Sequence, residues 1–284
     1  MPEKFKNKES EEDLSQYPEQ NEQEKGRNVK VSAIFERHGQ KESSQTTAET
    51  ELTETGEKDS AEFGRSLPER GVVKGYSSDT PRTMKTAELA VENSPTKVKA
   101  PKIRIDRGLG FYYDPKGDFF KNVRSVGEDA SDITECRNLQ ADYYLKFGDK
   151  RPDPRTISPV ELAALIAKKV NTYINMADKL DSGSDVQLIN ATHDFNIAAF
   201  LKEVMVLSKK EEGEPVKFEK IEEIGGGIGY NESFEVLAET DSHSNKTVKL
   251  IFRGKEYELD TKRLAELIEI AKKFDFKSVE KTEK

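Results

Sequence analysis

The sequence has one cysteine, three histidines and no long apolar run. A single cysteine, Cys136, cannot form an intramolecular disulfide, which excludes a disulfide-rich secreted fold and favours a reducing compartment. No stretch approaches the roughly 18 apolar residues of a membrane-spanning helix, and the N-terminal residues lack an apolar signal segment. We therefore expect a cytoplasmic protein that has no membrane partner.

An excess of positive charge is also missing. The 284 residues carry a net charge of -8, so we expect no nucleic-acid partner, because such partners require a broad basic surface. No His/Cys cluster has the spacing of a zinc site, and the carboxylates are too scattered to indicate another metal. We accordingly expect neither a metal nor a cofactor. The sequence leaves the oligomeric state open.

Polar residues are concentrated at the two ends of the chain. Residues 1–28 contain 13 charged residues and only four apolar ones. Such a segment buries too little apolar surface to offset the entropy that ordering costs. We predict a disordered tail there, a second at residues 277–284, and a single domain over residues 29–276.

Between the tails, short apolar runs alternate with helical patterns. The predicted elements are strands at 29–35, 72–77, 186–191, 233–238 and 247–252, and helices at 52–67, 80–91, 158–177, 195–207 and 261–273. This alternation is typical of an α/β fold with three layers, in which helices flank both faces of a mostly parallel sheet. The late strands are expected to form an antiparallel edge.

The segment 108–155 does not fit the alternation. It is rich in aromatic residues, aspartate and glycine, and we predict one helix near 131–147 between loops. Ligands of parallel sheets bind at the carboxyl ends of the strands. We therefore predict that this inserted segment caps a site there, with its aromatic side chains either against the substrate or against one another.

Polar residues follow three of the predicted strands. His38 comes after Arg37 at the end of the first strand, Arg82 lies just beyond the second, and His193 precedes Asp194 after the third. Since the ends of parallel strands share one edge of the sheet, these side chains should meet. Arginine donors suit phosphate oxygens, and a neutral imidazole nitrogen can attack phosphorus. The residues alone indicate an anion site with the potential for phosphoryl transfer.

Four segments that carry these residues resemble the histidine phosphatase superfamily, which includes phosphoglycerate mutases and histidine acid phosphatases. Residues 37–39 resemble its Arg-His-Gly signature, and 52–67 its "L-T-x-x-G…A…G…L" helix. Residues 77–88 are similar to "S-S-D-x-x-R-x-x-x-T-A-E", and 192–194 fit the second-histidine strand end. The segments stand in family order, and the resemblance implies a phosphoglycerate-mutase-like three-layer sandwich.

The resemblance also implies a role for each of these residues. His38 would be the nucleophile that becomes a phosphohistidine, while Arg37, Arg82 and His193 would hold the phosphoryl oxygens. Lys41 stands where the acid phosphatase motif has an arginine and would assist phosphate binding weakly. The implied activity is metal-independent hydrolysis of a small phosphate monoester, whose identity the sequence does not specify.

Two residues compete for the role of proton donor. Asp194 matches the acid phosphatase branch, in which the aspartate after the second histidine supplies the proton. Asp106 lies near the position from which a glutamate acts in the mutase-like branch. We favour Asp194, which is also placed to cap the helix that follows it.

Departures from the family pattern keep two other functions open. Glu36 stands where an apolar residue is common, and a carboxylate there that repelled substrate would leave a catalytically weak phosphate-binding regulatory module. A mutase, which passes the phosphoryl group to a second hydroxyl, is the other alternative.

The glycine-rich residues 225–229 lack the Lys-Ser/Thr of a Walker loop, so we predict a flexible turn that borders the site. His243, in a polar turn, is predicted to be solvated.

Overall fold

The apolar runs and helical patterns form the elements of a computed structural model that describes residues 24–42, 49–128 and 130–279. The strands are β1 (Lys30–Arg37), β2 (Val72–Ser77), β3 (Val98–Lys99), β4 (Arg104–Ile105), β5 (Asp185–Thr192), β6 (Met205–Val206), β7 (Ser208–Lys209), β8 (Pro215–Val216), β9 (Ser233–Thr240), β10 (Lys246–Phe252) and β11 (Lys255–Leu259). The helices are α1 (Glu54–Ser66), α2 (Pro81–Asn93), α3 (Phe119–Ser125), α4 (Ile133–Leu145), α5 (Pro159–Met176), α6 (Asp194–Val204) and α7 (Thr261–Lys273). Short 3-10 helices cover Arg107–Leu109, Ile221–Ile224 and Phe276–Ser278.

Nine of the strands form one mixed sheet in the order β3-β2-β5-β1-β9-β10-β11-β6, and β4 also pairs with β2. The central strands β1, β5 and β2 are parallel. The strands β9, β10, β11 and β6 add an antiparallel half. This arrangement confirms the predicted α/β class, including the antiparallel contribution of the late strands.

Helices cover both faces of the sheet, and β1 contributes buried apolar residues to the core on each face. Alternate residues of a strand point to opposite faces. Accordingly Phe35 packs in the large core with α5, α6 and α7, whereas Ile34 packs in a smaller core with α1 and α2. The capping box of α5, in which Ser158 and Glu161 each bond to the other's backbone N–H, fixes the start of that helix. The sheet with its two helical layers is the predicted three-layer sandwich.

The inserted segment differs from the prediction of one helix. It contains the 3-10 helix Arg107–Leu109 and two α-helices, α3 and α4. Asp132 accepts hydrogen bonds from the backbone of Thr134 and Glu135 and so begins α4. The predicted helix near 131–147 is α4, and the helix that was not predicted is α3, whose seven residues are too few to show a clear helical period.

The end of one predicted helix also differs. The helix predicted at 195–207 ends at Val204, because Met205 and Val206 leave it to pair with β11. The predicted tails fall largely outside the described residues. Of the first tail only residues 24–28 are described, and Lys25 there forms a β-bridge with Asp181. Within the described ranges, no helix is both long and apolar enough to cross a membrane.

Candidate active site

The carboxyl ends of β1, β2 and β5 meet at one edge of the sheet. The parallel register aligns Arg37 with Thr192, and Ser77 with Ala191. Just past β1, the N–H of His38 donates to the carbonyl of Thr192 at 3.0 Å. The polar residues that follow these three strands are thereby brought to one place, as the strand pattern predicted.

His38 is held in one tautomer by its own loop. Its Nδ1 lies 2.8 Å from the carbonyl oxygen of Gly39. A carbonyl oxygen can only accept a hydrogen bond, so Nδ1 carries the proton and the lone pair resides on Nε2. The imidazole is 3% exposed. Nε2 is therefore the nucleophilic atom of a buried, oriented ring.

The electrostatic surroundings keep both buried histidines neutral. Burial, followed by the charges of His193, Arg37 and Arg82, lowers the pKa of His38 well below its usual value. Burial, Arg82, Arg37 and Lys41 act in the same direction on the pKa of His193. The two rings are 5.4 Å apart between centroids. A neutral imidazole has the free lone pair that nucleophilic attack requires.

Arg37 is anchored on three sides. Its Nη1 donates to the carbonyl of Ile228 at 2.5 Å, and its Nη2 pairs with Asp194 Oδ2 at 2.9 Å. The guanidinium carbon lies 4.3 Å from the centre of the Tyr230 ring. Its Nε is buried with no hydrogen-bond partner in the described residues. A buried donor of this kind is available to an anionic ligand.

The segment after β2 completes the other side of the site. The Oγ of Ser78 lies 3.2 Å from His193 Nε2 and 2.7 Å from the hydroxyl of Thr83. Arg82, in the first turn of α2, is 8% exposed and lines the same cavity as His38. Two arginines and two neutral histidines thus line one cavity.

Glycine at position 39 allows the first loop to lie against α1. A Cβ at Gly39 would come within 2.6 Å of the carbonyl oxygen of Gly56. Gly39 N–H donates to the hydroxyl of Thr86 in α2 at 3.0 Å. The loop after His38 is therefore fixed by both helices of the smaller core.

Asp194 and Asp106 occupy different surroundings. Asp194 lines the cavity with His38, and its Oδ1 accepts the N–H of Phe195 in the first turn of α6. Asp106 is not among the residues that line this cavity. Its carboxylate instead accepts from the N–H of Gly108 and pairs with Lys169 Nζ at 2.5 Å. Of the two candidate acids, only Asp194 faces the nucleophile.

The cavity is lined by both basic and apolar residues. Its polar lining comprises Arg37, His38, Lys41, Arg82, Tyr113, Arg124, Arg137, Gln140, His193, Asp194 and Tyr230, and its other lining residues include Phe111, Phe120, Val123, Ile133, Phe195 and Ile228. Burial, then Arg82, lowers the pKa of Lys41 to about 8, against a smaller opposing effect of Asp194. Among the described residues, no group of His, Cys, Asp and Glu side chains could hold a metal ion.

Glu36 lies on the opposite face of β1 from Arg37. It is fully buried and accepts a hydrogen bond from Asn231 Nδ2 at 2.8 Å, while its Oε2 has no partner in the described part of the chain. Burial raises the pKa of Glu36 well above its usual value, and the Asn231 bond opposes this only in part. The side chain is not among the residues that line the described cavity, so it does not contact an anionic ligand bound there.

The glycine-rich residues 225–229 border the cavity through Ile228. Gly225 and Gly226 have φ of 94° and 95°, a backbone region in which other residues are strained. Their N–H groups donate to the carbonyls of Glu222 and Ile221, and Gly227 N–H donates to Asn138. With these donors already bonded inside the protein, the segment acts as a turn and not as a phosphate cradle. His243 is exposed in its turn.

Sequence reasoning did not find Tyr230, Arg124 or Arg137. Tyr230 follows the glycine-rich turn, a context that could have marked it as a border residue. Arg124 and Arg137 lie on α3 and α4, and neither belongs to a periodic pattern or a motif. Their place at the site depends on how the inserted segment packs.

A family model described as "Histidine phosphatase superfamily (branch 1)" matches residues 33–109. These residues include the second half of β1 and all of α1, β2 and α2, and with them His38, Arg37 and Arg82. A search of curated proteins finds no match.

Solved structures provide a second comparison. "Mycobacterial hydrolase 1" is 19% identical with a TM-score of 0.50, over 80% of this chain and 99% of that one. A phosphoglycerate mutase from Bacillus anthracis is 16% identical with a TM-score of 0.45, over 85% and 98%. A mycobacterial glucosyl-3-phosphoglycerate phosphatase is 19% identical with a TM-score of 0.46, over 77% and 97%. The likeness to the mycobacterial hydrolase shows a common fold.

Proposed function

We propose that this chain, a member of the histidine phosphatase superfamily, hydrolyses small phosphate monoesters through a phosphohistidine formed on His38. One observation carries the proposal: Nδ1 of His38 donates to the Gly39 carbonyl, so the lone pair is on Nε2 of a neutral ring in the cavity that Arg37 and Arg82 also line. The arginines supply the positive charge that the transferred group needs, so the reaction requires no metal.

In the first step the Nε2–phosphorus bond forms while the bond from phosphorus to the leaving oxygen breaks. Arg37, Arg82 and His193 donate to the phosphoryl oxygens and stabilise their charge in the transition state. Asp194, in its protonated form, transfers its proton to the leaving oxygen, which departs as an alcohol. Asp194 is our choice of acid because it lines the cavity and Asp106 does not.

In the second step a water molecule attacks the phosphohistidine. Asp194, now ionised, takes a proton from this water, the Nε2–phosphorus bond breaks, and inorganic phosphate leaves. Arg37, which lies 2.9 Å from the Asp194 carboxylate, stabilises that ionised form between the two steps. The cycle ends with the enzyme in its starting protonation state.

The regulatory-module alternative loses its main support. It required Glu36 to repel the substrate, yet Glu36 is absent from the described cavity lining and binds Asn231 on the other face of β1. We also propose a cytoplasmic location for the activity, in keeping with the single cysteine.

The experiment measures inorganic phosphate released from an aryl phosphate in the presence of EDTA. We expect wild-type activity, and a loss of at least about a thousandfold in His38→Ala because the nucleophile is removed. Circular dichroism and thermal melting check that the variant is folded. His243→Ala, at the exposed histidine, is the matched control and should retain full activity. Activity of His38→Ala within tenfold of the wild-type value would reject the proposal.

A further inference from the structure

The cavity around His38 has more positive charge than one phosphate group requires. Five of its described lining residues are basic and one is acidic; the basic ones are Arg37, Lys41, Arg82, Arg124 and Arg137, and the acidic one is Asp194. The whole chain has a net charge of -8, so the charge of the cavity lining is opposite in sign to that of the chain. A phosphate monoester dianion carries only about two negative charges.

The additional positive charge lies on the inserted segment, away from the carboxyl ends of the strands. Arg124 is on α3 and Arg137 is on α4, both in the inserted segment. Neither has a carboxylate partner in the described part of the chain, in contrast to Arg37, which pairs with Asp194. Like charges brought together without counter-ions destabilise a folded protein, and a bound anion removes that cost.

Tyr230 contacts one arginine of the strand edge, Arg37, and one arginine of the inserted segment, Arg137. Its ring centre is 4.3 Å from the guanidinium carbon of Arg37 and 5.1 Å from that of Arg137. The two guanidinium groups are thus separated by no more than the sum of these distances. Arg124 is close enough to Lys41 to help lower its pKa. A short molecule could contact both basic groups at once.

The space between these groups has an apolar wall. Phe111, Phe120, Val123 and Ile133 line the cavity on the side of the inserted segment. Phe111 is fixed there by ring contacts with Phe195 at 5.3 Å and Phe120 at 6.2 Å between centroids. An apolar linker would fit against this wall without leaving polar groups unpaired.

We propose that the substrate carries a second anionic group, either phosphate or carboxylate, which Arg124 and Arg137 bind while the first phosphate lies on the strand edge. A short apolar linker joins the two groups. This inference rests on the proposed phosphomonoesterase function and specifies the class of its substrate. Charge-assisted hydrogen bonds to a second anion favour such a substrate over an ester with one charged end.

The test compares butyl phosphate with butane-1,4-diol bisphosphate and with 5-phosphooxypentanoate, whose second group is a carboxylate. We expect wild-type kcat/KM to be about tenfold to a hundredfold higher for a substrate with a second anion, after correction for two equivalent phosphates. The two doubly charged esters show which second group is preferred. The double variant Arg124→Gln/Arg137→Gln should lose most of this advantage, mainly through KM, with a much smaller effect on butyl phosphate.

A control variant removes the same charge elsewhere. Lys121→Gln/Lys150→Gln changes two exposed lysines, on α3 and just after α4, that do not line the described cavity. It should keep the wild-type preference, which separates local binding from the loss of net charge. Equal kcat/KM values for the three esters in the wild type, or equal losses on all three in the arginine variant, would overturn the inference.

Calorimetric measurement of ligand binding tests the second-anion site independently of the proposed hydrolysis. Butyl phosphate and butane-1,4-diol bisphosphate are titrated into His38→Ala, with and without the two arginine substitutions. Tighter binding of the bisphosphate that the arginine substitutions abolish supports the second-anion site even if the wild type hydrolyses neither ester. Equal affinity for the two ligands would overturn it, even in a protein that is an active phosphatase.

Discussion

The edge of the sheet and the inserted segment above it build the same cavity in different ways. Arg37, His38 and His193 are placed by strand pairing and by hydrogen bonds to neighbouring loops. Residues 108–155 make numerous contacts between aromatic rings, such as Tyr144 against Phe195 at 4.8 Å. Hydrogen-bonded strand ends fix atoms to the accuracy that bond formation needs, whereas aromatic packing shapes a space. In our account the first region performs the chemistry and the second selects the substrate.

The largest effect expected from a change at the sheet edge, apart from loss of the nucleophile, is that of Arg82→Ala. Removing a donor to the phosphoryl oxygens should lower kcat about a hundredfold to a thousandfold, since the interaction strengthens in the transition state. Arg82→Lys, which keeps the charge but loses the planar fork, should recover part of the rate. Steady-state kinetics on an aryl phosphate measures both. An effect confined to KM would mean that Arg82 only binds the ground state.

The next effect distinguishes the two acids. Asp194→Asn should slow hydrolysis of an alkyl phosphate about a hundredfold, because an alkoxide needs a proton to leave. Because kcat/KM reports the first step and not the later attack of water, the kcat/KM for an aryl phosphate, whose leaving oxygen needs less help, should fall much less. Asp106→Asn is the matched control. If the alkyl-selective loss appears in Asp106→Asn instead, the acid is Asp106, and the assignment of the chemistry to the strand edge fails.

A smaller effect is expected in the pH dependence of kcat/KM, through the charge of Lys41. Its pKa is lowered to about 8, so Lys41 is charged below that pH and loses its charge as pH rises through it. Substrate affinity should fall in the same range, which gives kcat/KM an alkaline limb near pH 8. Lys41→Arg, which stays charged, should move this limb to higher pH. An unchanged pH profile in Lys41→Arg would assign the limb to another group.

The smallest effect on activity is expected from Glu36, which shares β1 with Arg37 but faces the other way. Its pKa is raised above the ordinary value of 4.5 by burial, so the folded state keeps a proton that the unfolded state releases. Folding stability from this group is present below about pH 4.5 and declines as pH rises through the folded-state pKa. Glu36→Gln should keep the bond to Asn231 and remove this decline.

Thermal melting between pH 4 and pH 8 checks the prediction for Glu36. The melting temperature of Glu36→Gln should match wild type near pH 4 and exceed it by a growing margin toward pH 8. Phosphate release should change by less than about threefold, as expected for a substitution outside the reacting groups. A loss of activity comparable to that of Arg82→Ala would show that both faces of the strand serve the chemistry.

The sheet edge was predictable because local signals and topology agree there. Apolar runs define β1, β2 and β5, and parallel strands must end at one edge, so Arg37, His38, Arg82 and His193 converge. Strand alternation also carried the signal that Glu36 faces away from Arg37, although the residue type alone suggested interference with the site.

The inserted segment was not predictable in the same way. The sequence predicted α4 but not the short α3, and the positions of Arg124 and Arg137 depend on how Phe111 and Phe119 pack against Phe195. Such contacts join residues that are far apart in sequence, so no local pattern encodes them. Tyr230 depends in the same way on Arg37 and Arg137, which approach it from two separate segments.

The most direct measurement traps the covalent intermediate. Enzyme is mixed with a phosphate ester labelled on phosphorus, quenched with alkali within one turnover, digested and mapped. Our account predicts label on the peptide that contains His38, stable to alkali and released by acid as a phosphohistidine, and none in His38→Ala. Turnover in the wild type without label, or label on a different residue, would contradict it.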